Sequence, residues 1–226
     1  MTSLKGLKTV LAATFAAAFL AACAGSQPTY YYTLLPSSAG KEQAAGQPPS
    51  AGYAVLIESV AVPEQVDRPQ IVLTDPQSTQ VVPLNSSLWA SPLPDELRRA
   101  LADDLYRRLG VLNLASTGVP EGLPAWRLFL DIQRFESLYD QEAVIDASWR
   151  LTPVNQPSRR ETICRAEARV PVGQGMSALV TGHQQALQLL AGLMAAQLQK
   201  AGPPAADDSR IQLKGCTNSP VKKNQG

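Results

Sequence analysis

The sequence is poor in the residues that most often carry enzymatic chemistry. It has one histidine, His183, among 226 residues, so a mechanism that pairs serine or cysteine with histidine would have to use it. His183 lies on the apolar stripe of a predicted helix, which favours a structural role. Its possible zinc co-ligands, Cys164 and Cys216, lack the close spacing of a zinc site. The composition therefore predicts no catalytic residue and no metal site.

Signals for binding nucleotides and nucleic acids are also missing. Gly173, Gly175 and Ala178 imitate part of a dinucleotide-binding turn, but no acidic residue stands between positions 179 and 206 to bind a ribose. The sequence has neither a P-loop nor a nucleophile elbow. Its 20 basic and 19 acidic residues nearly cancel, and nothing in that balance suggests a nucleic-acid footprint. We therefore predict no cofactor and no nucleic-acid partner.

The first 22 residues have the form of a bacterial lipoprotein signal peptide. Lys5 and Lys8 precede an apolar run over residues 10–22, which is too short for a membrane span of about 20 residues. Residues 20–23 read Leu-Ala-Ala-Cys, so we expect cleavage before Cys23 and acylation of that cysteine. Ala24 follows in place of aspartate, which in a Gram-negative source favours the periplasmic face of the outer membrane. The alternative is an ordinary signal peptide with a chance cysteine.

The mature chain is predicted to form one domain. Residues 23–29 are a short tether, residues 30–202 form the domain, and residues 203–226 form a polar tail that we expect to be disordered beyond Cys216. Cys164 and Cys216 are an even pair in an oxidising compartment, which favours a disulfide between them. The alternative is two unpaired thiols.

Hydrophobic periodicity predicts an α+β fold. Leucines recur every four residues from Leu93 to Leu109 and predict a first helix, which Ser91 could cap and Gly110 would end. A second amphipathic helix is predicted over residues 176–200. Alternating or β-prone runs predict strands over residues 30–35, 53–62, 70–74, 79–82, 126–133, 143–151 and 162–170. We expect a mostly antiparallel or mixed sheet, packed by two main helices in a single domain.

Two motifs resemble those of a known family of lipoproteins. The first is residues 66–72, Val-Asp-Arg-Pro-Gln-Ile-Val, and the second is residues 89–93, Trp-Ala-Ser-Pro-Leu. Together they resemble the ABC-type transport auxiliary lipoproteins of the PqiC/YmbA family, over roughly residues 30–200. The resemblance implies a non-enzymatic outer-membrane lipoprotein that works with a periplasmic MCE-domain (mammalian cell entry) protein and an inner-membrane transport complex. It also implies lipid transport between the membranes and a homo-oligomeric ring.

The same motifs contain the candidate partner-binding residues. Asp67, Arg68 and Gln70 lie in a proline-bounded segment between strands, where exposed residues can recognise a partner. Trp89 precedes the first helix and could be an interface anchor. The alternatives are that Asp67 and Arg68 only organise the loop, and that Trp89 packs in the core or at the helix entry. No residue is assigned to lipid contact.

Two other functions remain open at the level of sequence. The chain could be a structural or assembly lipoprotein of another envelope complex, since the anchor and the lack of catalytic residues suit that role equally well. It could also be an anchored hydrolase that uses His183 as its base. Solvent access to His183 distinguishes the hydrolase from the other two.

Overall fold

Three long antiparallel strands and two helices form the centre of the fold in a computed structural model, which describes residues 28–36, 51–114, 118–199 and 208–219. The helices are α1, Leu93–Leu109, and α2, Met176–Gln199. The strands in chain order are β1 Tyr30–Tyr32, β2 Ala54–Ala61, β3 Gln70–Thr74, β4 Val81–Trp89, β5 Ala125–Leu138, β6 Glu142–Val154, β7 Glu161–Pro171 and β8 Ile211–Ser219.

The eight strands form one mixed sheet in the order β1-β4-β3-β5-β6-β7-β8, with β2 beside β5. Strands β5 to β8 pair antiparallel with their neighbours, as do β3 and β4. The β1–β4, β2–β5 and β3–β5 pairs are parallel. Both helices pack on the sheet and on each other. The predicted single α+β domain with a mixed sheet and two helices is confirmed.

Helix α1 buries the predicted leucine stripe but begins differently from the prediction. Pro92 occupies the cap position, and Gly110 ends the helix with a φ of 63°, a left-handed conformation that suits glycine. Ser91 does not cap the backbone, because its hydroxyl donates a hydrogen bond to the carboxylate of Glu96 at 2.6 Å. The leucines at positions 93, 97, 101, 105 and 109 are all buried.

Helix α2 lies very close to the sheet at Gly182. A β-carbon at this position would lie 2.3 Å from Cγ1 of Val172 and 3.0 Å from Cβ of Ala143. Such contacts are far shorter than van der Waals separations, so the approach of α2 requires a residue without a side chain. His183, the next residue, is therefore held firmly in the core.

The C-terminal segment is part of the sheet, which corrects the predicted end of the domain at residue 202. Strand β8 pairs antiparallel with β7 from Ile211 to Ser219, and Ile211 is buried. Cys164 faces Cys216 in this pairing, and the two are joined by a disulfide with a Cα–Cα distance of 4.1 Å. The polar composition of the segment concealed a strand with one apolar face.

Strand β4 is also longer than the predicted run at residues 79–82. It continues to Trp89 through Asn85, Ser86 and Ser87, which have low β-propensity. On one side β1 pairs with residues 87–89, and on the other β3 pairs with residues 81–83 and with Leu88; the register between these two parts of the β3 pairing is irregular.

Candidate functional site

The Asp-Arg-Pro motif lies in the segment between β2 and β3, which we call the motif loop (residues 63–69). Its backbone is fixed by local hydrogen bonds: the amide of Val66 donates to the carbonyl of Pro63 at 3.0 Å, and that of Arg68 to Val66 at 2.9 Å. The side chain of Val66 is buried in the core, while those of Asp67, Arg68 and Pro69 are exposed. The loop is thus a rigid support for two exposed charges.

Neither charge in the motif loop is used to hold the loop together. Within the described part of the chain, the side chains of Asp67 and Arg68 form no ion pair and no hydrogen bond. Pro69 restricts Arg68 to extended geometry and fixes its own φ, so the two side chains project from a backbone with little freedom. The alternative that these side chains organise the loop finds no support in the observed contacts.

The structure places Trp89 below the motif loop and not on the surface. Trp89 is only 4% exposed, and its ring meets that of Phe135 edge to face at 6.0 Å between centroids. Its backbone amide donates to the carbonyl of Pro69 at 2.7 Å. The expectation that its side chain is an interface anchor is therefore corrected, because a buried ring is not available to a partner. Gln70, half-buried, begins β3 opposite Leu88.

His183 lies in the same buried layer as Trp89. Its ring stacks on Phe135 at 4.1 Å between centroids, and its Nε2 is 2.8 Å from the hydroxyl of Ser137. Burial lowers the pKa of His183 to about 3, so the imidazole is neutral at physiological pH. Both members of this Ser–His pair are fully buried, and Nδ1 of His183 has no hydrogen-bond partner within the described residues.

This geometry opposes the hydrolase alternative. A nucleophile and its base must face a space that holds substrate, and the base is normally oriented through its second nitrogen. Neither condition is met by Ser137 and His183. A surface cavity of about 190 Å³ does exist elsewhere, but its lining contains no histidine, cysteine or carboxylate; it consists of Trp126, Leu151, Ser158, Arg159, Arg160, Thr162, Gln197 and Asn218.

The segment that follows β1 is fastened to both helices. The buried carboxylate of Glu96 accepts hydrogen bonds from the hydroxyl of Thr33 at 2.7 Å and from the amide of Leu34 at 2.8 Å. From α2, the amide group of Gln184 donates to the carbonyls of Thr33 and Leu35. We call these contacts the β1 clamp. The β1 clamp therefore fixes the segment that lies nearest the expected lipid anchor to the rest of the domain.

Sequence reasoning missed the β1 clamp. An acid in the first turn of a helix is usually explained by the positive end of the helix dipole alone. The signal that could have revealed it is its position, because Glu96 lies beside Leu93 and Leu97 on the apolar stripe of α1. A carboxylate on a buried stripe requires hydrogen-bond donors from another element.

Replacing Glu96 is expected to loosen the N-terminal strand. In E96A the donors of Thr33, Leu34 and Ser91 lose their shared acceptor, which costs about 2 kcal/mol because buried donors remain unsatisfied. Amide exchange at Leu34 should accelerate about 30-fold, measured by hydrogen exchange. D95N is the matched control, since Asp95 lies in the same helical turn but pairs only with Arg98. Equal acceleration in both variants would contradict the clamp.

Charged side chains on the outer surface of β6, β7 and β8 neutralise one another. Asp146 accepts hydrogen bonds from Arg165 at 2.9 Å and from Lys214 at 2.8 Å. Burial alone would raise the pKa of Asp146, but these two donors outweigh it and hold the pKa below its usual value. Lys214 also bonds to Glu167 at 2.7 Å and lowers the pKa of that carboxyl. The paired charges fasten β8 and leave little net field for an external partner.

Further sites are not evident among the residues that the structure describes. No cluster of three histidine, cysteine, aspartate or glutamate side chains there could hold a metal ion. Neither helix there combines the length and apolar character needed to cross a bilayer. Cys23, the expected lipidation site, lies outside the described residues.

A match to a known family identifies the class of this protein. Residues 32–195 match the family of the ABC-type transport auxiliary lipoprotein component, and the chain belongs to that family. The family predicted from the Asp-Arg-Pro-Gln and Trp-Ala-Ser-Pro-Leu motifs is thus confirmed, and membership places the chain among lipoproteins of the cell envelope.

Individual relatives agree with this assignment. The chain is 29% identical over 148 residues to Intermembrane transport lipoprotein PqiC of Escherichia coli (strain K12), a match that covers 65% of this chain and 76% of that protein. The protein of the same name from Shigella flexneri matches to the same extent. A crystal structure of an uncharacterized protein shares the fold, with a TM-score of 0.55 and 22% identity over 76% of this chain and 99% of that one.

Proposed function

We propose that this chain is an outer-membrane lipoprotein, anchored through acyl chains on Cys23. In this proposal it docks the periplasm-spanning MCE-domain protein of an intermembrane lipid-transport system and catalyses no reaction itself. The signal sequence and Ala24 support the anchor and its location. The name of the PqiC relatives supports intermembrane transport as the process.

The observation that carries the docking role is the motif loop with its unpaired charges. A surface that recognises a partner benefits from groups that are already in position, because less conformational entropy is lost on binding. Asp67 and Arg68 are exposed on a backbone fixed by Pro69 and by the buried Val66. Since neither charge has an internal partner among the described residues, both are available for complementary charges on another protein. The ring of copies implied by the resemblance would present several such loops to one partner.

We propose that the chain catalyses no reaction because its one histidine is inaccessible. His183 is buried, neutral and stacked on Phe135, and its partner Ser137 is equally inaccessible. In a binding or assembly protein, Ser137 and His183 need only pack in the core. His183 stacks on Phe135, and the ring of Phe135 also contacts Trp89.

Removing the two loop charges is expected to weaken partner capture without unfolding the domain. In D67A/R68A the amount of MCE-domain protein that co-purifies from detergent-solubilised envelopes should fall about tenfold, which corresponds to about 1.4 kcal/mol. The matched control is E121A/R160A, which removes one exposed acid and one exposed base that form no ion pair in the described structure. Thermal unfolding of both variants should match that of the wild type.

Three outcomes would each overturn part of the proposal. If the wild-type chain captures no MCE-domain protein, the docking role is wrong, and capture of a different envelope assembly would favour the structural or assembly alternative. If D67A/R68A and E121A/R160A lose the partner equally, the motif loop is not the recognition surface. A mature protein that lacks acyl mass on Cys23 in mass spectrometry would remove the anchor.

A further inference from the structure

Two neighbouring strands belong to segments of the chain that carry no charge. Residues 24–40 contain no lysine, arginine, aspartate or glutamate, and neither do residues 76–94, although 17% of the whole sequence is charged. The first segment contains β1 and the second contains β4, and the two strands pair with each other. The fold therefore gathers the uncharged stretches at one border of the sheet.

This border exposes large apolar side chains. Tyr31 is 67% exposed and Val82 is 53% exposed, and Tyr30 and Val81 are also exposed. We call these four residues the β1–β4 border. Strand β1 pairs only with the last three residues of β4, so residues 81–86 have no strand on that side within the described part of the chain. An apolar, uncharged and unpaired border of this kind requires a covering medium or partner.

The lipid anchor lies within reach of the border. Six residues separate Cys23 from Tyr30, and they span about 20 Å when fully extended. Because β1 runs parallel to β4, its N-terminal end points toward Val81. Tyr30 and Tyr31 lie opposite Ser87 and Leu88, whereas Val81 and Val82 lie about six residues, or about 20 Å, further back along β4. The border therefore runs along the length of this edge of the sheet, and the motif loop adjoins its Leu88 end, where Gln70 faces Leu88.

We propose that the β1–β4 border lies in the headgroup region of the bilayer when the chain is anchored. Tyrosine suits this region because its ring contacts acyl chains while its hydroxyl stays hydrated. The lack of charge removes the cost of bringing ionised groups toward a low-dielectric medium. The proposal rests on the acylated Cys23 of the proposed function and adds an orientation, in which the β1–β4 edge of the sheet faces the membrane and β8, at the other edge, lies away from it.

Strand addition by another protein chain suits the border less well. Pro83 lies within the unpaired stretch of β4 and has no amide hydrogen to donate to an added strand. Proline on an edge strand is a common device against such pairing. A bilayer needs no backbone hydrogen bonds from the border and tolerates Pro83.

The orientation can be tested with a fluorophore on one introduced cysteine, because Cys164 and Cys216 are joined in a disulfide and do not react. V82C places an NBD group on the border. L112C is the matched control, since Leu112 is 55% exposed and lies far from the border. Its backbone carbonyl accepts a hydrogen bond from the amide of Val55, which pairs with Trp126 of β5. Val82 pairs with Leu73 of β3, and Leu73 pairs with Ser137 of β5. Ser137 follows Trp126 by eleven residues, which places the two labelled positions about 36 Å apart along β5. The acylated proteins are reconstituted in vesicles of phosphatidylethanolamine and phosphatidylglycerol that contain doxyl-labelled lipid.

The label at Val82 should be quenched at least threefold more strongly than the label at Leu112. Equal quenching at the two positions in a chain that floats with the vesicles would overturn the orientation and leave the anchor intact. If the label at Val82 is shielded from water but is not quenched by the doxyl-labelled lipid, another protein covers the border, and the proposal is also overturned. A chain that does not float with the vesicles would remove the anchor of the proposed function and the membrane contact with it.

Discussion

Breaking the Cys164–Cys216 disulfide should lower the free energy of unfolding by about 4 kcal/mol. The bond joins residues 52 positions apart, and the chain-entropy model gives this value for a closed loop of that length. The loop contains helix α2 and most of β7, so the bond restricts a large part of the unfolded chain. A double variant, C164A/C216A, should show the loss in urea denaturation followed by tryptophan fluorescence.

Reduction of the wild-type protein is the control for this effect. Reduction breaks the bond but keeps both sulfur atoms, so it separates the constraint from the packing lost when the buried Cys164 becomes alanine. Reduced wild type and the double variant should lose similar stability, and exchange of the β8 amides should accelerate in both. Unfolding curves that are the same with and without the bond would show that β8 is held by pairing with β7 alone.

The second large effect concerns pH and arises from His183. Burial lowers the pKa of His183 to about 3 in the folded protein, whereas an unfolded histidine titrates near 6.5. Between these values the unfolded state binds the additional proton, so stability is complete above about pH 6.5 and falls as the pH decreases. The slope approaches 1.36 kcal/mol per pH unit, which amounts to about 3 kcal/mol by pH 4.

The variant H183Q isolates this contribution. Glutamine can still bond to Ser137 but does not titrate, so the stability difference between wild type and variant should shrink by about 3 kcal/mol from pH 7 to pH 4. Asp146 and Glu167, whose pKa values are lowered, lose their contributions mainly below their unfolded values near pH 4. Asp104, whose pKa burial raises, acts in the opposite direction. These groups are present in both proteins and cancel in the difference, so a constant difference across this range would contradict the prediction.

The elements that the sequence predicted well are those with strong local periodicity. The leucine stripe of α1, the apolar face of α2 and the alternation in β5, β6 and β7 each record which side of one element faces the core. Gly110 identified the end of α1 because a left-handed residue there favours glycine. Such signals are contained within about 20 residues and need no knowledge of the partner element.

The candidate site was less predictable, because its members come from distant parts of the chain. The motif loop was identified by its residues, but the ring of Trp89 packs against Phe135, which follows it by 46 residues and stacks in turn on His183. The β1 clamp joins Thr33 and Leu34 to Glu96, and Ser137 meets His183 only when α2 lies on the sheet. A contact of this kind leaves no periodic trace in either segment.

The sequence by itself determined the family and the α+β class and led us to expect the anchor, because a signal-peptide pattern, two short motifs and helical or alternating periodicity are local properties of the chain. The tertiary structure decided that the polar segment after residue 208 completes the sheet as β8, that Trp89 is buried and that the uncharged β1 and β4 lie side by side. These outcomes depend on the register and order of strands, which are set by the total free energy of many distant contacts.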